Sequence, residues 1–182
     1  MSNIKNLIKY AMSDDDIRRF FKGKINIMRF KDLERCEHID QVLGPYERCI
    51  ILFEGPKANH WTLCQVVRQP NKKPYILFFD SYGLIIENEW NYIPKSFMHL
   101  SDQKRGTLIN LLINQELPVH YNEFKLQKLG KLHGVSVNTC GRWCCLKALY
   151  NDISEKEFAQ LMKSTSLKPD ELVCVIFEEL NK

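Results

Sequence analysis

Hydrophobic and polar positions along the chain set out a succession of elements. Ile4, Leu7, Ile8 and Met12 recur at helical spacing and predict a short amphipathic helix over residues 2–11. Ser13, followed by Asp14, Asp15 and Asp16, predicts a second helix. A capping hydroxyl and first-turn carboxylates both answer free backbone N–H groups there. Ile17, Phe20 and Phe21 form its apolar stripe. Residues 25–46 are less regular, and Gly44-Pro45 marks a turn. Three strand-like runs follow: Arg48 to Phe53, His60 to Arg68 and Tyr75 to Phe79. The second alternates, with Trp61, Leu63 and Gln65 on one side. The third is apolar throughout, as expected of a central strand covered on both faces. The polar link from Gln69 to Pro74 reads as an exposed hairpin loop. Ser101 is expected to cap a helix to about Gln115, burying Leu108, Ile109, Leu111 and Leu112. Pro118 then opens a strand from Val119 to Leu126, with a glycine-bearing loop after it.

The stretch from Asn138 to Tyr150 is the chain's organising segment. Beyond its first two residues only Arg142 and Lys147 break the apolar or small-residue run, so the helix has almost no polar face and is expected to be buried on nearly all sides. Two more helices close the chain, one opened by the capping box Ser154/Glu157 and one by Pro169-Asp170-Glu171. Helices, then strands, then helices predict an α+β fold: a central mixed, largely antiparallel β-sheet flanked by helices, with a buried central helix. The 182 residues suit one domain, with residues 1–46 as an N-terminal helical segment packed on it.

Composition adds little to this picture and removes some options. Apolar residues make up 45% and charged residues 26%, an ordinary globular balance. A net charge of +4 permits contact with nucleic acid or an acidic partner without demanding it. The first sixteen residues lack the continuous apolar core of a signal peptide, and no run is long enough to span a bilayer, so no membrane partner is expected. Seven cysteines, an odd count with Cys144 and Cys145 adjacent, then read as reduced thiols in an intracellular protein.

One cysteine is placed for chemistry. Asn138 and Thr139 are capping types, which puts Cys140 in the first turn of the helix, where the dipole and free N–H groups favour thiolate. A nucleophilic thiol needs a base and a group to orient that base. His38, His99 and His120 have no chemical neighbour in sequence. His133 lies close to Cys140 in a loop between Gly130 and Gly134. His60 opens a strand with Trp61 beside it. If the strands starting at His60 and ending at Phe79 pair antiparallel through the short loop, Asp80 falls at the same sheet edge as His60 and can fix its tautomer. The backbone N–H of Cys140 is one donor for a developing oxyanion, and Gln127 or Asn138 offers a second. Cys140, Cys144, Cys145 and His133 are near in sequence, yet neither a C-x-x-C spacing nor a common helix face suits them to zinc, and no metal or cofactor is expected. Lys72-Lys73 and Lys125, Lys128 and Lys131 motivate a different class, a non-catalytic capsid- or nucleic-acid-binding domain.

His60-Trp61, Asp80 after an apolar strand, Gln127, and Thr139-Cys140-Gly141 stand in the order His, Asp, Gln, Cys. Over roughly Ile50 to Tyr150 this resembles the adenovirus-type maturation protease and its cellular relatives, the SUMO and ubiquitin-like deconjugating proteases. The run from Thr139 to Trp143 (TCGRW) is most similar to small proteases encoded by virophages and related large-DNA-virus or polinton-like elements. The resemblance implies a cysteine endopeptidase with Cys140 as nucleophile, His60 as general base, Asp80 orienting the base and Gln127 completing the oxyanion hole. It implies a protein substrate such as a capsid or other structural precursor, cut after a small residue in a cleft narrowed by aromatic walls, with Trp61 and Trp143 as candidates. The short chain favours this over a deconjugating enzyme, and DNA or an activating peptide is a further partner the family suggests. One departure is visible: the loop between Gln127 and Cys140 is extended relative to the family.

Overall fold

The three inner strands of the central sheet are largely apolar on both sides because helices cover both. The structure is a computed structural model describing residues 2–56, 58–91 and 93–182. Strands β1 (Asn26–Arg29), β2 (Arg48–Phe53), β3 (His60–Val67), β4 (Tyr75–Phe79) and β5 (Val119–Tyr121) lie side by side in chain order. The two inner pairings are antiparallel and the two outer ones parallel. The sheet is therefore mixed, as expected, with an antiparallel centre. A two-stranded hairpin, β6 (Lys131–Leu132) with β7 (Val135–Ser136), stands apart from it.

Among the described residues eight α-helices surround these strands: α1 (Ser2–Lys9), α2 (Asp14–Phe20), α3 (Ile39–Leu43), α4 (Lys95–Leu100), α5 (Thr107–Ile113), α6 (Cys140–Leu149), α7 (Glu155–Lys163) and α8 (Pro169–Leu180). Alternate strand residues go to opposite cores. Ile50, Leu63, Leu77 and Phe79 meet α1, α2, α6, α7 and α8, through side chains such as Ile8, Ile17, Phe158 and Val173. Ile51, Cys64, Ile76 and Phe78 meet α3 and α5 together with Phe30 and Trp90. Among the described residues no helix is long and apolar enough to cross a membrane.

Helix α6 is the innermost helix: residues 140 to 148 are all buried. Its two charged side chains are inside with it. Arg142 donates to the Tyr10 carbonyl at 2.9 Å and lies over the rings of Tyr10 and Phe177. Lys147 donates to the carbonyls of Tyr150 and Ile153, both at 2.9 Å, and burial pulls its ammonium down to about 8. The charges that broke the apolar run thus pin loop backbone to the core instead of facing water.

Several expected boundaries move. The helix expected from Ser101 to Gln115 is two helices, α4 and α5, with Ser101 as the C-cap of the first. The Glu87 carboxylate fixes the start of α5 by accepting the N–H groups of Gly106, Leu108 and Ile109. Gly106 itself is left-handed at φ 85°, which no helix interior permits, and Ile109 is only half-buried. The strand expected to Leu126 stops at Tyr121, because the Asn122 amide donates to the carbonyls of Asp80 and Phe124 and turns the chain. The irregular N-terminal segment supplies edge strand β1 as well as helices. The capping boxes at Ser13 and Ser154, and Pro169 in the first turn of α8, stand as expected.

Candidate active site

Cys140 is the first residue of α6, and the expected caps do something else. Thr139 has helical backbone angles and makes no side-chain cap. Its hydroxyl donates to Asp170 of α8 at 2.5 Å, and the same carboxylate accepts the Trp143 indole N–H and the Lys128 amide. Asn138 donates its side-chain amide to the Lys9 carbonyl at 2.7 Å and its backbone N–H to the Ile8 carbonyl at 2.9 Å. With Arg142 on Tyr10 and the Trp61 indole on the Met12 carbonyl (2.9 Å), the carbonyls of residues 8, 9, 10 and 12 are tied to groups flanking the thiol. The N-terminal segment is thereby a wall of the site. Gly141 allows this closeness: a Cβ there would stand 3.0 Å from Met12 Cβ and 3.2 Å from Trp61 Cδ1.

The antiparallel pairing of β3 with β4 sets Leu63 against Phe79, so His60 and Asp80 share the sheet edge that the strand pattern suggested. His60 Nε2–H donates to Asp80 Oδ2 at 2.8 Å. The other Asp80 oxygen accepts the Tyr82 N–H at 2.5 Å, inside a turn that Gly83 closes at φ 72°. Asp80 is fully buried, and Tyr82 stacks on the imidazole with ring centroids 4.9 Å apart. Nδ1 is then the ring nitrogen left for Cys140.

Burial acts against both charged forms and is the largest single influence on each residue. It is outweighed by mutual interaction: Asp80 and Cys140 push the imidazole well above its ordinary 6.5, and His60, with the backbone N–H groups of Trp61 and Gly141, brings the Cys140 thiol below its ordinary 9.0. The other cysteines go the opposite way. Burial raises Cys36, Cys49, Cys144 and Cys145, and lifts Cys64 and Cys174 to about 12. Both shifts act in the direction of an imidazolium beside a thiolate. The site opens onto a groove of about 1080 Å³ lined by Met12, Trp61, Tyr82, Gln127 and Asn138 as well as by His60 and Cys140.

Gln127 reaches this groove because its N–H and that of Leu126 both donate to the Ser81 carbonyl, laying the loop against the Asp80 turn. Its side chain is buried, accepting from the Ser81 hydroxyl at 2.7 Å and donating to the Tyr82 hydroxyl at 3.0 Å and, at a longer 3.4 Å, to the Val137 carbonyl. The extended loop is the β6–β7 hairpin, an excursion that starts and ends near the site, tied at its base by Val137 N–H to the Gly130 carbonyl. His133 sits on that hairpin at φ 51° and bonds Glu171 at 2.7 Å, away from the groove lining. His38, His99 and His120 are exposed. Trp61 lines the groove, whereas Trp143 is a core residue bonded to Asp170 and is not a cleft wall.

The cysteine–histidine set weighed as metal ligands is not assembled, since His133 is on the hairpin and Cys144 donates to the Trp61 carbonyl. Among the described residues one group brings three potential ligand atoms within 4.8 Å of one another: His60, Asp80 and Glu89. His60 and Asp80 of this group also bond each other. The parts Tyr82, Glu89, Asp170 and Met12 play at the site had no sequence signal, although Met12 and Asp170 were legible as helix positions. Each acts through a neighbour far along the chain.

No protein-family model matches the chain. The uncharacterized protein V9 of Sputnik virophage is 36% identical over 181 residues, covering 97% of this chain and 99% of that one. Among solved structures the chain is similar to the pS273R protease of ASFV, at 13% identity and a TM-score of 0.49, over 93% of this chain and 67% of that one. A de-sumoylating protease is more distant, at 13% identity and a TM-score of 0.37, over 99% of this chain and 77% of that one.

Proposed function

The chain belongs to the family of the Sputnik virophage protein V9, and we propose that it is a cysteine endopeptidase formed by a single domain over residues 1–182. The observation that carries this reading is a thiol at the head of a buried helix, set beside an imidazole that a buried carboxylate orients, in a groove open to a peptide. Cys140 is the nucleophile, His60 the general base and Asp80 its orienting partner. The thiolate attacks a peptide carbonyl, His60 gives its proton to the leaving amine, and water then resolves the acyl-enzyme. The backbone N–H of Cys140 stabilises the oxyanion. Gln127 is the second donor, because its long bond to Val137 is the one most easily exchanged for a substrate oxygen. Asn138 is the weaker candidate, its amide held by the Lys9 carbonyl.

The substrate is a viral capsid or other structural precursor, cleaved after a small residue such as glycine. Trp61 and Met12, pressed against Gly141, leave little room for a side chain beside the thiol. A ubiquitin-like modifier is the alternative substrate. The nucleic-acid-binding reading has less support. Lys72-Lys73 lie on the β3–β4 loop, while Lys125 and Lys128 flank the residues that bond the Asp80 turn at the other end of that hairpin and Lys131 stands on β6, so they form no continuous basic strip. Incubation with co-expressed virophage structural proteins, beside a Cys140→Ala control, tests the proposal. Cleavage by the native chain alone supports it, and identical patterns sink it.

A further inference from the structure

One acid at this site has no hydrogen-bond donor among the described residues. Glu89 lies in the short 3-10 turn Asn88–Asn91 and is 5% exposed, yet both of its carboxylate oxygens are shut off from water without a partner. The side chains converging with it are Asp80 and His60. Tyr82 and Lys125 line a cavity that Glu89 shares, but neither donates to it, and the nearby Trp90 indole is spent on Glu87. An ionised Glu89 would set two carboxylates together in a dry pocket, where the one charge of His60 would have to serve both and no donor replaces their lost hydration. Two acceptors can share such a space only if one of them carries a proton.

We propose that Glu89 is a neutral carboxylic acid whose O–H donates to Asp80, making it a positioning residue behind the His60–Asp80 pair. Asp80 has room for this bond. It accepts one hydrogen from Tyr82 N–H and one from His60, and a carboxylate has about four lone-pair positions. A third donor fixes the plane of the carboxylate without cancelling its charge, so the imidazole keeps both its orientation and its counter-ion. Burial first, then the charge of Asp80 and a hydrogen bond with it, push the Glu89 carboxyl well above the usual range, against a smaller opposing effect of His60. The positioning role rests on the function proposed for His60 and Asp80, whereas the protonation of Glu89 is a property of the fold alone.

The test separates the two. Infrared difference spectra of the intact Cys140→Ala chain, with and without Glu89→Gln, should show a buried carboxylic-acid C=O stretch, shifted by deuterium, that the second substitution removes. In the otherwise native chain, Glu89→Leu should lower kcat about tenfold with little change in KM, as an ordering bond is lost, and Glu89→Gln, whose amide also donates, should restore most of it. Three results overturn the proposal: no such band, a Glu89→Gln enzyme as impaired as Glu89→Leu, or a stoichiometric divalent metal in the purified protein that Glu89→Gln releases. A chain that hydrolyses no peptide yet shows the band defeats the protease reading and leaves the assignment of Glu89 standing.

Discussion

Thr139 gives its hydroxyl hydrogen to Asp170, at 2.5 Å, and its oxygen accepts no N–H of its own helix. The bond ties the residue before the thiol to the opening of α8, and Asp170 collects the Trp143 and Lys128 N–H groups as well. Asp170→Ala would strand two buried donors and the part-buried Lys128 N–H, so it should cost about 3–5 kcal/mol in chemical denaturation. Asp170→Asn keeps one acceptor and should cost less. Equal losses for the two would show that the carboxylate does not hold this corner.

Cys140 should be the one cysteine alkylated rapidly at mildly acidic pH, since it alone is held below its ordinary value and the rest are raised or buried. Mass mapping after brief exposure to iodoacetamide checks this. The signs also set the shape of the pH–rate profile. Rate rises as Cys140 loses its proton, below 9.0, and falls as His60 loses its own, above 6.5. A profile still climbing through the ordinary thiol range would contradict the ion pair.

His60→Ala should lower kcat/KM by about 10²–10⁴-fold, the usual contribution of a general base. Asp80→Asn should cost less, because the Tyr82 bond to the side chain can persist. His133→Ala should leave turnover nearly intact, since it sits on the outer hairpin and its partner is Glu171 of α8. Inactivation by His133→Ala with His60→Ala active would reverse the assignment.

Gln127→Ala should reduce kcat by about 10²-fold with a small change in KM, whereas Asn138→Ala should act mainly on the docking of the N-terminal segment. Steady-state kinetics on both variants distinguishes an oxyanion donor from a structural amide.

Lys147 supplies a test of the fold. Its folded value is about 8 against 10.5 unfolded, so between those values the unfolded chain binds the extra proton and stability rises with pH. Relative to Lys147→Met, the native chain should gain about 2–3 kcal/mol across that window. Parallel curves for the two proteins would mean the ammonium is better solvated than its burial implies.

Much of the fold could be read along the chain wherever local pattern and burial agree. The apolar run of β4, the stripe of α2, the capping boxes at Ser13 and Ser154 and the immersion of α6 all follow from side-chain period and cap chemistry. Where a distant group overrides local preference, the pattern misleads. Glu87 moves the start of α5, Asn122 ends β5 early, and Asp170 takes the hydroxyl that Thr139 was expected to use as a cap.

The candidate site divides in the same way. The sequence alone determined that Cys140 opens a helix, that His60 opens a strand and that Asp80 closes one, because each lies at the end of a periodic element. Tertiary structure decided that His60 rather than His133 accompanies the thiol, that residues 8–12 wall the groove, and that Glu89 is buried behind Asp80. The physical reason is range. Periodicity reports on neighbours a few residues apart, whereas electrostatic coupling and desolvation are set by whatever the packing brings together, here across stretches of chain that carry no mutual signal.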